Sequence, residues 1–182
     1  MANNIIIWGH SLHKRKNGSI VKAVGILDGD MAGIEAKKEV NRVIKSDSKK
    51  AKTFKIFKLA PSYARHLIPL YQNNLKLPIT LEELFPLSIW EAAQKNGWLE
   101  PRKSSNMFLE SPKNWNQMNQ SLTEFISDLP IDKKLLIYMN KVKDENKKNL
   151  TDYISNLPLE KRKAALINFQ SLLNDIDGYL FS

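Results

Sequence analysis

The 182-residue sequence contains no cysteine. A disulfide framework and a thiolate metal site are therefore excluded, and the composition suits a reducing compartment. Long apolar runs are also missing, because the apolar start NIIIW at 4–8 is far shorter than a signal-peptide core or a membrane span. We expect a soluble, cytoplasmic protein that has no membrane partner.

Acidic residues are outnumbered by basic ones: the chain has 28 lysines and arginines against 19 aspartates and glutamates, a formal net charge of +9. This surplus favours a polyanionic partner such as DNA, because lysine and arginine neutralise phosphates in non-specific nucleic-acid binding. The alternative is that most of the surplus is solvated lysine on helix surfaces, since arginine occurs at only a few positions.

Short β-type runs occur at 4–8, 20–27 and 53–59, and the segment between the last two, MAGIEAKKEVNRVIKS, has apolar residues at helical spacing. A strand, helix, strand order predicts a crossover between parallel strands. Ligands of open α/β sheets bind at the carboxyl ends of such strands. Asp28 and Asp30 follow the strand at 20–27, and therefore lie at such an end.

The remaining sequence predicts an irregular segment at 60–78, a turn and helix ending near Gly97, and a loop at 101–117. The segments 119–129, 130–157 and 158–176 have apolar residues at helical spacing. The predicted fold class is α/β, with a partial parallel sheet and its helices followed by a mostly helical C-terminal region. His66, which lies in the irregular segment, is expected to be an ordinary surface histidine, as are His10 and His13.

The pair Asp28 and Asp30 is the strongest candidate for a functional site. Side chains two residues apart on a strand project to the same face, and two nearby carboxylates repel each other. Mg²⁺ would relieve this repulsion, because it prefers oxygen ligands and often binds carboxylates beside a phosphate. Gly33 permits a tight turn into the following helix, whose N-terminus favours an anion, so we place a bound phosphate at Gly33. The alternative is that one aspartate caps the helix and the other is solvated in a turn.

The run VGILDGDMAGIEA resembles the D-x-D segment of Toprim domains, the metal-binding α/β module of topoisomerases, primases and OLD-type (overcoming lysogenization defect) nucleases. The OLD-type family is the best match. NIIIWGHS is similar to the strand and glycine turn before the D-x-D strand, TFKIFKLA to the next strand, and TLEELFP to the acidic segment that follows. KKNLTDYISNLPLEKRKAALINFQSLLNDI is similar to the helical ending of OLD-type chains.

The resemblance implies that Asp28, Asp30 and Glu82 bind Mg²⁺ or Mn²⁺, with Glu83 as a substitute for Glu82. It also implies catalytic roles for Glu82 and for Lys147, which matches the family's lysine near the active site. Lys148 is the alternative, in a register shifted by one residue.

One departure from the family pattern bears on activity. A complete Toprim domain begins with a strand that carries a glutamate, whereas no acidic residue precedes Asp28 here, and no G-x-x-x-x-G-K-[ST] loop is present. We therefore expect an incomplete Toprim-like α/β region at 1–85 and a helical region at 86–182.

These observations lead to two functional predictions. The first is part of a magnesium-dependent OLD-type nuclease that acts on DNA phosphodiesters. The alternative is a non-catalytic module that binds nucleic acid or protein, and completes or inhibits a partner nuclease. An unpaired sheet edge would favour a protein partner or a homo-oligomer that completes the sheet.

Overall fold

The computed structural model describes residues 14, 16–18, 20–44, 53–103, 107–115 and 119–182. The chain forms two units, one of Met1–Ala60 with Gln170–Ser182 and the other of Pro61–Phe169. The predicted strand at 4–8, His10 and His13 lie outside the described residues. The predicted boundary between a Toprim-like region at 1–85 and a helical region at 86–182 is the boundary of a family domain. It stays a prediction.

The first unit contains the predicted strand, helix, strand order. Strand β1 (Ala23–Leu27) leads to helix α1 (Met31–Ile44) and then to strand β2 (Phe54–Lys58). The two strands pair in parallel, with Ala23 opposite Phe54 and Leu27 opposite Lys58. The backbone N–H of Leu59 also donates to the Leu27 carbonyl at 2.8 Å. The prediction of a small parallel sheet with a crossover helix is therefore confirmed.

The apolar face of α1 explains why the helix packs on this sheet. Val40 and Ile44 are buried against Phe54, and Ala23 and Ile56 pack around them. Their spacing places Val40 and Ile44 on one side of a helix whose other side is rich in lysine and glutamate. Burial of this face holds α1 against both strands and positions the turn between β1 and α1.

The second unit is mostly helical, and also contains a small antiparallel sheet. Its helices are α2 (Ile68–Gln72), α3 (Leu87–Lys95), α4 (Leu122–Asp128), α5 (Lys147–Ser155) and α6 (Leu159–Ala165), and α7 (Phe169–Leu180) starts at its end. Strand β3 (Leu99–Pro101) pairs with β4 (Asn140–Val142). As the sequence predicted, helix α3 ends near Gly97. This glycine has a positive φ of 70°, which is common just after the end of a helix.

The prediction of helical structure throughout 130–157 is wrong at Asn140–Val142, which form strand β4. Lys133–Met139 form a 3₁₀ helix, and the next three residues form β4. The partner strand β3 includes Pro101, the first residue of the predicted loop, and Glu100 lies 2.9 Å from Lys141 across the ladder. Pairing with a segment about 40 residues away in sequence outweighs the local helical pattern here.

No helix in the described parts of the chain is both long enough and apolar enough to cross a membrane.

Candidate functional site

The carboxyl end of β1 carries the two predicted aspartates. Asp28 directly follows the strand and is half-buried, and Asp30 directly precedes α1. The Asp30 carboxylate accepts a hydrogen bond from the Gly33 backbone N–H, with Oδ1 2.7 Å from the nitrogen. Asp30 is therefore the N-cap of α1, which agrees with the capping alternative. A carboxylate has two oxygens, so a cap made by Oδ1 does not use the whole acceptor capacity of Asp30.

Gly33 is buried where the strand end and the helix start meet. A Cβ atom at this position would lie 2.0 Å from the Asp28 carbonyl oxygen and 3.2 Å from Asp30 Oδ1. Only glycine fits this approach. Because the Gly33 N–H already donates to Asp30, a phosphate at the predicted position would compete with the helix cap.

In the second unit, Glu82 and Lys147 come together although 65 positions separate them. The Lys147 ammonium lies 3.2 Å from Glu82 Oε1 and 3.2 Å from Asp144 Oδ1. The Glu82 side chain is 19% exposed and that of Lys147 is 51% exposed, so the pair lies at the surface of the unit. Lys148, the alternative to Lys147, is also exposed at the start of α5.

The surroundings shift the pKa values of both partners. Burial raises the pKa of Glu82, but the Thr80 hydroxyl, a backbone hydrogen bond and Lys147 outweigh burial, so this pKa lies below its usual value. Burial likewise lowers the pKa of Lys147, but Glu82 and Asp144 outweigh it and raise that pKa. Both groups are therefore ionised at neutral pH.

Glu83 has a different environment from its neighbour. Its side chain is 1% exposed, and it forms an ion pair with Arg102, whose side chain is 8% exposed. Arg102 Nε also lies within hydrogen-bonding distance of the carbonyls of Asn140, at 3.0 Å, and Tyr138, at 3.3 Å. A buried charge pair of this kind is held by several partners at once. Glu83 thus connects the 3₁₀ turn Glu82–Leu84 to the segment around β4, and Glu82 is the more accessible of the two glutamates.

Two aromatic residues fix the backbone of this turn. The Trp90 indole N–H donates to the Glu82 carbonyl at 3.2 Å, and the Tyr138 hydroxyl donates to the Phe85 carbonyl at 3.1 Å. The two rings lie 4.7 Å apart between centroids and are tilted by 49°. Trp90 and Tyr138 are buried, so the turn that carries Glu82 is hydrogen-bonded to side chains of the core.

His66 was predicted to be an ordinary surface histidine, and this prediction is wrong. Its ring packs 5.2 Å from that of Tyr138, and its Nδ1 lies 3.2 Å from Asn168 Nδ2, which also donates to the Leu84 carbonyl. Because an amide NH₂ group only donates, Nδ1 accepts, and the imidazole is neutral. Burial lowers the pKa of His66, and the Glu83 backbone opposes this in part.

Three residues that hydrogen-bond to the segment Glu82–Phe85 were not predicted from the sequence: Thr80, Arg102 and Tyr138. A sequence signal existed for the first, because Thr80-x-x-Glu83 has the spacing of a capping box, and the Thr80 N–H does donate to Glu83 at 2.7 Å. Arg102 lies in the predicted loop, and only its distant partners reveal its role. Among the described residues, no three histidine, aspartate or glutamate side chains form a group that could hold a metal ion.

Comparison with known protein families, curated proteins and solved structures found no match for this chain. The Toprim and OLD-type resemblance therefore stays a prediction, as do the metal, phosphate-binding and catalytic roles of the predicted residues.

Proposed function

We propose that this chain is part of a magnesium-dependent, Toprim-like nuclease of the OLD type that acts on DNA phosphodiesters. The observation that carries the proposal is the position of Asp28 and Asp30 at the carboxyl end of β1, in a parallel β–α–β unit. This is where ligands of open α/β sheets bind. Asp30 can cap α1 through Oδ1 and still offer its other oxygen to a cation.

The pair Glu82 and Lys147 supports the proposal independently. The resemblance assigned both residues to one site although they are far apart in the sequence, and they lie 3.2 Å apart. In the proposed nuclease, Glu82 is a carboxylate ligand for Mg²⁺ or Mn²⁺, and Lys147 supplies a positive charge for the phosphate. Two-metal phosphodiester cleavage needs carboxylates on both sides of the metals, so further acidic groups from a partner or another segment complete the proposed site.

The test is calorimetric titration of Mg²⁺ and Mn²⁺ into the wild type, Asp28→Asn and Asp30→Asn, with plasmid cleavage assayed on the same samples. Asparagine caps helices as well as aspartate does, so Asp30→Asn removes the charge and keeps the cap. The control is Asp177→Asn, which changes an exposed aspartate in the same unit. We expect metal binding to be lost in the two site variants and kept in the control, with unchanged melting temperatures.

A second candidate function is a non-catalytic module that binds nucleic acid or protein. The use of the Asp30 carboxylate as a helix cap and the net charge of +9 favour this alternative. Such a module would bind DNA with an affinity that falls with salt, and Asp28→Asn and Asp30→Asn would not weaken it. Salt-dependent DNA binding in a wild-type chain that binds no Mg²⁺ or Mn²⁺ would therefore replace the nuclease proposal with this one.

A further inference from the structure

Thr80 lies between the carboxylates of two consecutive glutamates. Its hydroxyl oxygen is 2.5 Å from Glu82 Oε2 and 2.6 Å from Glu83 Oε2. A hydroxyl has a single hydrogen, and an ionised carboxylate has none to donate. Thr80 can therefore donate its hydroxyl hydrogen to only one of these two groups at a time.

The other partners of Glu83 decide which group receives it. Glu83 Oε1 is bonded to the Arg102 guanidinium, and its Oε2 already accepts the Thr80 backbone N–H at 2.7 Å. Arg102 is in turn placed by backbone carbonyls next to and within β4. Both oxygens of Glu83 therefore already accept a hydrogen bond, so a further bond from the hydroxyl stabilises Glu83 less than it stabilises Glu82, although each carboxylate oxygen can accept two.

We infer that Thr80 is the positioning residue for Glu82, whose Oε2 it holds so that Oε1 faces Lys147 at the surface. The Arg102–Glu83 ion pair makes this possible, because it satisfies the carboxylate that would otherwise compete for the hydroxyl. The functional meaning of this inference rests on the proposed function, in which Glu82 binds the metal ion.

The test compares Thr80→Val, which removes the hydroxyl and keeps a branched side chain, with Thr80→Ser, which keeps the hydroxyl. Thr123→Val is the matched control, because Thr123 is exposed in the first turn of α4 in the same unit. The measured quantity is the pKa of Glu82, obtained by NMR from the side-chain ¹³C carboxyl shift and assigned with Glu82→Gln.

We expect Thr80→Val to raise the pKa of Glu82. Burial raises this pKa, and the variant removes the Thr80 hydrogen bond, which lowers it. Thr80→Ser and Thr123→Val should leave that pKa near the wild-type value. An unchanged pKa in Thr80→Val would overturn the inference, because a role limited to packing predicts that result.

A measurement on the wild type covers the case in which Thr80→Val fails to fold. A slowly exchanging Thr80 hydroxyl proton with a nuclear Overhauser contact to the Glu82 side chain would support the inference. The same contact to Glu83 alone would overturn it.

Mn²⁺ titration of the same variants separates this inference from the proposed function. If Glu82 binds the metal, Thr80→Val should weaken Mn²⁺ binding severalfold and Thr80→Ser should restore it. If the wild type binds no Mn²⁺, the proposed function fails, and the NMR measurements still decide whether Thr80 holds Glu82.

Discussion

Replacement of Gly33 by alanine tests the close approach between β1 and α1. The added Cβ would lie 2.0 Å from the Asp28 carbonyl oxygen, and contacts under 3.0 Å essentially never occur for real Cβ atoms. The start of α1 must then move by about 1 Å, the difference between these two distances. The obstacle is backbone held by the Leu59 to Leu27 hydrogen bond, so it cannot simply rotate away.

The cost of this movement has two parts. Overpacking of a tight site costs about 1–3 kcal/mol, and a strained or lost Asp30 cap costs about 1 kcal/mol more. Alanine in place of glycine regains about 1 kcal/mol of helix propensity. We therefore expect Gly33→Ala to lower the free energy of unfolding by about 1–3 kcal/mol.

Gly178→Ala is the matched control, because it makes the same change within α7 of the same unit and its new Cβ meets no atom within 4 Å. This variant should gain up to about 1 kcal/mol. Urea unfolding followed by far-UV circular dichroism measures both, and hydrogen exchange of the α1 amides locates the effect. Equal stabilisation by Gly33→Ala and Gly178→Ala would refute the argument for a close approach at Gly33.

Three further predictions concern the second unit. Glu83→Gln should lower the free energy of unfolding by roughly 3–5 kcal/mol, because it leaves the Arg102 charge buried without its partner. Urea unfolding measures this change. A decrease of less than about 1 kcal/mol, which is typical of exposed ion pairs, would contradict a buried pair. Burial holds the pKa of His66 below its ordinary value of 6.5, so the contribution of His66 to stability should be complete above pH 6.5 and fall as the pH drops below it. The urea midpoint of the wild type should therefore fall below pH 6.5, and His66→Gln should reduce this dependence on pH. The same dependence of the midpoint on pH in the wild type and in His66→Gln would contradict the prediction. Ser121→Ala removes the side-chain acceptor of the α4 capping box and should cost about 1 kcal/mol, whereas Ser121→Asp should restore stability in thermal melts.

Much of the first unit follows from local sequence patterns. The strand, helix, strand order, the parallel pairing and the position of Asp28 and Asp30 after β1 were all predicted, because alternation and helical spacing are properties of neighbouring residues. The capping alternative for Asp30 was likewise open from the sequence, since aspartate three residues before the Gly33 N–H is a common N-cap arrangement.

The second unit depends on contacts between distant segments, which local patterns do not contain. Residues 140–142 form a strand and not a helix because they pair with 99–101. Glu82 and Glu83 are adjacent residues of the same type, and the local sequence does not distinguish them. In the structure, Glu83 is buried in an ion pair with Arg102, whereas Glu82 pairs with Lys147 at the surface. The composition, the β–α–β order and the carboxylate pair after β1 were therefore already specified along the chain. The burial and the ion-pair partner of each glutamate were decided only by the tertiary structure, because both depend on side chains that are distant in the sequence and lie beside the glutamate after folding.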